Sequence, residues 1–190
     1  QALYAATVEV VRLETQAGLP EWYLRQQMIN GCVADGRWTE AIEHAQATIA
    51  WVRGHRDLRA LTDAHIQMLP ALLALDRVDE ALDAARQAWP TAAPLGREPF
   101  LADYLALIVV RQGRAAEAAR LLGYADRLNQ ARGVARALNE AAAVDQASRL
   151  TDGRLGAEEA ARLRAQGRAL SAEDAGRLAF GDPAAGMRAA

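Results

Sequence analysis

Gly36-Arg37-Trp38-Thr39-Glu40-Ala41-Ile42 is a stretch that recurs twice further along this chain of 190 residues. Its other copies are Asp76-Arg77-Val78-Asp79-Glu80-Ala81-Leu82 and Gly113-Arg114-Ala115-Ala116-Glu117-Ala118-Ala119. The copies begin 40 and 37 residues apart. Because self-similarity with a period of this size is typical of stacked helical units, the spacing predicts a helical repeat protein.

Each position of the shared pattern has a physical role in a turn between two helices. The leading Gly or Asp ends one helix in a tight turn, and the apolar third position covers the gap between helices. The Glu lies in the first turn of the next helix, where the helix dipole favours negative charge. The following Ala lets two helices approach closely, so Ala41, Ala81 and Ala118 are expected at buried crossings.

Helical periodicity continues along almost the whole sequence. After the first turn, the apolar residues have the three-and-four spacing that forms one face of a helix. They are Trp38, Ala41, Ile42, Ala45, Ile49 and Val52. No stretch shows the alternation of a strand bounded by a hairpin signal. The sequence therefore predicts an all-α fold of about ten helices, with more than about 65% helix and short links between antiparallel neighbours.

The repeated turns resemble those of tetratricopeptide repeats, and the resemblance covers roughly Glu21 to Asp126. Residues 2–17 resemble the second helix of a preceding repeat. The separations exceed the 34 residues usual in that family, and only Pro90 matches its closing proline. The resemblance implies a right-handed solenoid of antiparallel helix pairs, whose first helices line an extended concave surface.

The same resemblance assigns a ligand-binding or partner-binding role to inner-face positions of the first helices. The candidate residues are Tyr23, Gln26, Asn30, Asp63, Ile66, Phe100, Asp103 and Arg111. The alternative interpretation of these positions is an ordinary solvated helix face without a ligand.

Three segments in the last third of the chain resemble the C-terminal end of large multidomain bacterial transcription regulators. They are Arg120-Leu121-Leu122-Gly123-Tyr124-Ala125-Asp126, Leu138-Asn139-Glu140 and Gln166-Gly167-Arg168-Ala169-Leu170-Ser171-Ala172-Glu173-Asp174-Ala175. In that family, a winged-helix DNA-binding domain and a P-loop nucleotidase precede a helical-repeat region. The resemblance implies that this chain, which begins at Gln1 without methionine, is a piece of a longer protein.

Composition argues against several classes of function. The formal net charge is -2 and the isoelectric point is about 6.0, whereas a nucleic-acid-binding domain is expected to have a basic patch and a value above about 9. All 22 basic residues are arginine, and a P-loop needs a lysine, so nucleotide hydrolysis is not expected here. No apolar run approaches the roughly 20 residues that cross a bilayer, so no membrane association is expected.

No catalytic residue, metal site or cofactor is expected. The three histidines, His44, His55 and His65, lack the spacing of a metal-binding motif. Cys32 is the single cysteine and lies among apolar residues, so the sequence predicts a small buried side chain rather than a nucleophile.

Acidic pairs and the last serine are predicted to stabilise helix starts. The pairs Asp79-Glu80, Glu158-Glu159 and Glu173-Asp174 fall in first helical turns, which the helix dipole explains better than acid-base catalysis does. Ser171 lies three residues before Asp174, a spacing that predicts a helix N-cap with its reciprocal acid.

The sequence thus predicts one helical-repeat domain over residues 1–180, followed by a flexible tail at 181–190. Its clearest repeats lie at 21–126, and 133–180 are predicted to form C-terminal capping helices.

The predicted function is that of a non-catalytic regulatory domain of a bacterial transcription regulator. We expect it to act in the cytoplasm and to bind a protein partner, upstream domains of the same chain or a small-molecule effector. The alternative is a free-standing tetratricopeptide-like adaptor that scaffolds a complex unrelated to transcription. The upstream coding sequence distinguishes the two, because only the regulator has a winged helix and a P-loop before Gln1.

Overall fold

Helices form nearly all the regular structure of the computed structural model, which describes residues 2–16, 18 and 21–181. Of these residues 84% are helical and none is in a strand, which confirms the prediction of an all-α fold. Over the same residues the chain forms ten helices. They are α1 (Ala2–Gln16), α2 (Glu21–Ala34), α3 (Trp38–His55), α4 (Leu58–Ala74), α5 (Val78–Ala92), α6 (Glu98–Arg111), α7 (Ala115–Arg132), α8 (Leu138–Leu155), α9 (Ala157–Gly167) and α10 (Ala172–Phe180).

The chain divides into two units, unit 1 (Gln1–Thr91) and unit 2 (Ala92–Ala190). In unit 1, α1 packs on α2, α2 on α3 and α3 on α4, and α2 also contacts α4. Contact between successive helices from α1 to α4, together with contact between α2 and α4, is consistent with a helical repeat. None of the helices in the described residues combines the length and the apolar character that a bilayer span requires.

Unit 2 has α6 and α7 at its centre. The segment predicted to form capping helices, 133–180, becomes α8, α9 and α10, and all three contact α7. Helix α8 also packs on α6. The predicted tail lies outside the described residues, apart from Gly181.

The repeated sequence pattern forms the same helix-to-helix link in each of its three copies. Its first residue has a positive φ of 71° at Gly36, 57° at Asp76 and 88° at Gly113. The next residue, an arginine in every copy, donates its backbone N–H to the carbonyl oxygen five residues earlier, at 2.8, 2.9 and 3.2 Å. This is the hydrogen bond of a Schellman motif, and the positive φ explains the glycine at two of the three positions.

The arginine that closes one helix also begins the next. Its carbonyl oxygen accepts the first hydrogen bond of the new helix, from the N–H of the pattern's alanine at 3.0 Å in each copy. Its guanidinium pairs with the glutamate three residues later. The pairs are Arg37–Glu40, Arg77–Glu80 and Arg114–Glu117. One residue thus makes hydrogen bonds with the end of one helix and with the start of the next. The link therefore fixes both where the first helix ends and where the second begins.

A fourth link has the same hydrogen bonds but only part of the sequence pattern. Gly96 has a φ of 68°, and Arg97 donates its backbone N–H to the carbonyl oxygen of Ala92 at 2.7 Å. The carbonyl oxygen of Arg97 in turn accepts from Leu101 in the first turn of α6. The link between α5 and α6 therefore keeps the Gly-Arg pair and its hydrogen bonds without the rest of the repeated pattern.

Arg114 also attaches α10 to the link between α6 and α7. Its guanidinium donates to the backbone carbonyl oxygens of Leu178 and Ala179 in the last turn of α10. Carbonyl groups at the end of a helix have no partner within the helix, so this side chain supplies the missing donors. Ser171 begins α10 as predicted: its Oγ accepts from the backbone N–H of Asp174 at 3.1 Å.

Helices α7 and α9 cross at two glycines. A Cβ built on Gly123 would overlap the backbone carbonyl of Arg164, and a Cβ on Gly167 would overlap that of Arg120. Both glycines lie inside the bounds of their helices, where glycine costs about 1 kcal/mol relative to alanine. Close approach of the two backbones therefore requires these glycines.

The alanines of the repeated pattern are buried as predicted, since Ala41, Ala81 and Ala118 are all fully inaccessible. We expect Ala81→Leu to lower the free energy of unfolding by about 1 to 3 kcal/mol, because added methyl groups overpack a closed site. Urea titration followed by circular dichroism measures the change. Ala161→Leu on the exposed face of α9 is the control, and equal effects of the two substitutions would contradict the assigned packing.

We expect Gly123→Ala to lower the free energy of unfolding by roughly 2 kcal/mol or more, because backbone atoms cannot move aside as a flexible side chain can. The matched control is Gly153→Ala in α8, where a Cβ meets no atom within 4 Å. There the same substitution should raise the free energy of unfolding by about 0.5 to 1 kcal/mol. A stabilising Gly123→Ala would show that α7 and α9 do not cross at this point.

Candidate functional site

The eight residues predicted for a binding surface are divided between the two units. In unit 1, Tyr23, Gln26 and Asn30 lie on α2, and Asp63 and Ile66 lie on α4; in unit 2, Phe100, Asp103 and Arg111 lie on α6. Ile66 and Asp103 are buried, Asn30 is exposed, and the other five are half-buried. The structure thus places two of the candidate residues in the interior of their units.

Asp103 is the centre of a buried polar network in unit 2. Its carboxylate, 0% exposed, accepts from Nε of Arg136 at 3.0 Å and from Nδ2 of Asn129 at 3.2 Å. Arg136 also pairs with Asp126 at 2.8 Å. Since Arg136 lies between α7 and α8, this network holds the connection between those helices against α6.

Burial raises the pKa of Asp103 to about 7, since loss of hydration outweighs the attraction of the Arg136 guanidinium. The like charge of Glu140 raises it further. An aspartate in water titrates near 3.8. Between these two pH values the folded chain binds a proton at Asp103 that the unfolded chain does not, so Asp103 stabilises the fold increasingly as the pH falls.

A cleft with a volume of about 370 Å³ lies within unit 1, between α3, α4 and α5. Its walls are α3 and α5, and residues of α4 lie between them. The residues that line it are Gln46, Ile49, Ala50, Arg53, His65, Met68, Leu72, Glu80, Asp83, Ala84 and Gln87.

Buried apolar side chains form the floor of the cleft. Met68 and Leu72 come from α4, Ile49 from α3 and Ala84 from α5, and all four are buried. Ala50, at an exposed position of the α3 wall, has a small side chain and leaves room above this floor. An apolar floor below polar walls is the arrangement found in most sites that bind small molecules or peptide side chains.

One end of the cleft carries a buried histidine, His65. Its Nδ1 lies 2.8 Å from the carbonyl oxygen of Leu61, and the side chain of Gln87 lies close to its ring. Burial lowers the pKa of His65, and the charge of Arg53 lowers it further. Both effects favour the neutral imidazole.

Arg53 lies at the exposed rim of this end of the cleft. Its Nη2 lies 3.5 Å from Oε1 of Gln87, a long contact to a neutral acceptor. Among the residues that the structure describes, no carboxylate lies within 4.0 Å of the Arg53 guanidinium. The positive charge at this end of the cleft is thus not neutralised by an ion pair.

The acidic residues of the cleft are neutralised by their own helix. Glu80 pairs with Arg77 at 2.6 Å, and Asp83 pairs with Arg86 at 2.7 Å. Glu80 precedes Gln87 by seven residues, which is about 10 Å along α5. The cleft therefore has paired acids towards one end and an unpaired guanidinium at the other.

The residues that line the cleft are different from the eight binding residues predicted from the sequence. Asp63 precedes His65 by two residues, or about 200° around α4, so it lies on another face of that helix. The wall residues of each helix have the three-and-four spacing of one helix face. Because every helix face has this spacing, no signal in the sequence distinguishes the cleft.

The described residues contain no group of three or more His, Cys, Asp or Glu side chains that could bind a metal ion. Cys32 is a free, fully buried thiol as predicted, and burial raises its pKa. Comparison of the chain with family models, curated proteins and solved structures gives no match.

The elevated pKa of Asp103 leads to a prediction for stability. We expect the free energy of unfolding of the unsubstituted chain, minus that of Asp103→Asn, to increase as the pH falls from 8 to 5. The slope should reach at most about 1.4 kcal/mol per pH unit, because only one proton is involved. Urea titrations of both proteins at each pH measure this difference, which cancels the titration of His44 and His65. A difference that is independent of pH would mean that Asp103 titrates near its ordinary value.

Proposed function

We propose that this chain is a non-catalytic helical-repeat domain that binds a partner in the unit 1 cleft and controls domains attached to it. The cleft between α3, α4 and α5 is the observation that carries the binding function. Its buried apolar floor and its unpaired Arg53 are features that a bound partner would satisfy.

The chemistry of the cleft favours binding over catalysis. Its lining residues include no hydroxyl, thiol or lysine that could act as a nucleophile. His65, the one imidazole in the lining, is 3% exposed and already hydrogen-bonded to the carbonyl oxygen of Leu61. A general base must reach the proton that it removes, and a ring buried in this way is poorly placed to do so.

The link to transcription is supported by the segments that resemble the C-terminal end of bacterial transcription regulators. Gly123 belongs to the first of these segments and Gly167 to the third, and these two glycines form the crossing of α7 and α9. The resemblance therefore concerns one packed part of unit 2 rather than separate stretches. We propose that the chain regulates a winged-helix domain and a P-loop nucleotidase in the same protein.

The proposal predicts that blocking the cleft changes transcription. Ala50→Phe adds a large side chain at an exposed position of the cleft wall, so it should block the cleft without disturbing the core. In the source organism, we expect Ala50→Phe and deletion of the gene to change the abundance of the same small set of transcripts. Ala161→Phe, on the exposed face of α9, is the control and should change none of them.

RNA sequencing of the four strains gives the result. If deletion changes a set of transcripts and Ala50→Phe does not, the cleft is not the regulatory site. If deletion changes no specific set, the chain is an adaptor unrelated to transcription. Thermal unfolding of the purified variants should give melting temperatures within about 2 °C of the unsubstituted chain, because surface substitutions usually have small effects.

A further inference from the structure

We infer that the partner of the unit 1 cleft is a peptide segment in which an acidic residue stands next to a large apolar one. This inference rests on the proposed binding function of the cleft and adds the chemical class of the ligand. The acidic side chain would pair with Arg53, and the apolar side chain would cover Met68 and Leu72 on the floor.

The unpaired guanidinium of Arg53 favours a ligand that carries a carboxylate. Two arginines of the other wall have carboxylate partners: Arg77, directly before α5, pairs with Glu80 at 2.6 Å, and Arg86, within α5, pairs with Asp83 at 2.7 Å. Arg53 instead has only the long contact to the neutral amide of Gln87. A carboxylate from outside would form a charge-assisted hydrogen bond, which is roughly twice as strong as a bond between neutral groups.

The surroundings of Arg53 favour an anion over a cation at this end of the cleft. The nearest polar side chain, that of Gln87 at 3.5 Å, is a neutral amide and adds no negative charge. The paired acids Glu80 and Asp83 lie further towards the start of α5. A carboxylate beside Arg53 therefore meets one uncompensated positive charge, and the nearer negative charges already have partners.

The shape of the cleft favours a peptide. Its two walls are helices whose exposed residues leave it open along about 10 Å, the distance from Glu80 to Gln87 along α5. An extended peptide spans this length with about three residues. Neighbouring side chains of such a peptide can therefore reach the apolar floor and the guanidinium at the same time.

An explanation within the chain also exists for the position of Arg53. It lies in the last turn of α3, where a positive side chain interacts favourably with the helix dipole. That explanation predicts no preference of the cleft for an acidic ligand, so binding experiments distinguish the two.

The test is a titration of the full isotope-labelled chain with two blocked pentapeptides, followed by NMR. The first peptide is acetyl-Ala-Ala-Leu-Glu-Ala-amide, and the second has Gln in place of Glu. We expect the Glu peptide to shift the signals of Arg53, Gln87 and Met68, with an affinity roughly tenfold higher than that of the Gln peptide. Arg53→Gln should remove this difference.

The matched control is Arg59→Gln, which makes the same chemical change at an exposed position of α4 outside the cleft. It should leave the preference for the Glu peptide intact. Equal binding of both peptides in the cleft would overturn the assignment of a carboxylate while leaving the cleft as a binding site. Absence of binding by the Glu peptide, or shifts confined to residues outside the cleft, would overturn the inference altogether, and the transcript comparison with Ala50→Phe would still decide the proposed function.

Discussion

The backbone of Arg37 closes α2 by donating its N–H to the carbonyl oxygen of Cys32, and it begins α3 by accepting from the N–H of Ala41. The same two hydrogen bonds recur at Arg77, Arg97 and Arg114, and they determine which face each following helix presents. The walls of the unit 1 cleft depend on them, because a helix that began one residue later would rotate its side chains by about 100°. Arg53 would then no longer lie beside Gln87.

Sequence reasoning succeeded where the cause was local. The Ser171 cap, the acids in first helical turns and the burial of Ala41, Ala81 and Ala118 all follow from neighbours a few residues away. The cleft could not be predicted in this way, because it depends on how α3, α4 and α5 lie against each other. The burial of Asp103 has a similar origin, since its partner Arg136 is 33 residues away.

The absence of lysine has structural consequences, whatever its origin in the gene. The planar guanidinium of Arg114 reaches two carbonyl oxygens at the end of α10 while its backbone serves two helices. Arg136 likewise contacts two carboxylates, that of Asp103 in α6 and that of Asp126 in α7. A lysine offers a compact charge without this fork, so neither contact would survive replacement by lysine unchanged.

The links are short and closed by backbone atoms, whereas the helices between them have no fixed length. A gene could therefore gain or lose seven codons inside a helix and keep its apolar stripe aligned to within about 20°, because seven residues make almost two full turns. A single codon gained at Gly36 or Gly113 would instead displace the arginine that both helices share. We expect natural variation in length among descendants of this chain to accumulate in mid-helix, in steps of whole turns, and to spare the links at Arg37, Arg77, Arg97 and Arg114.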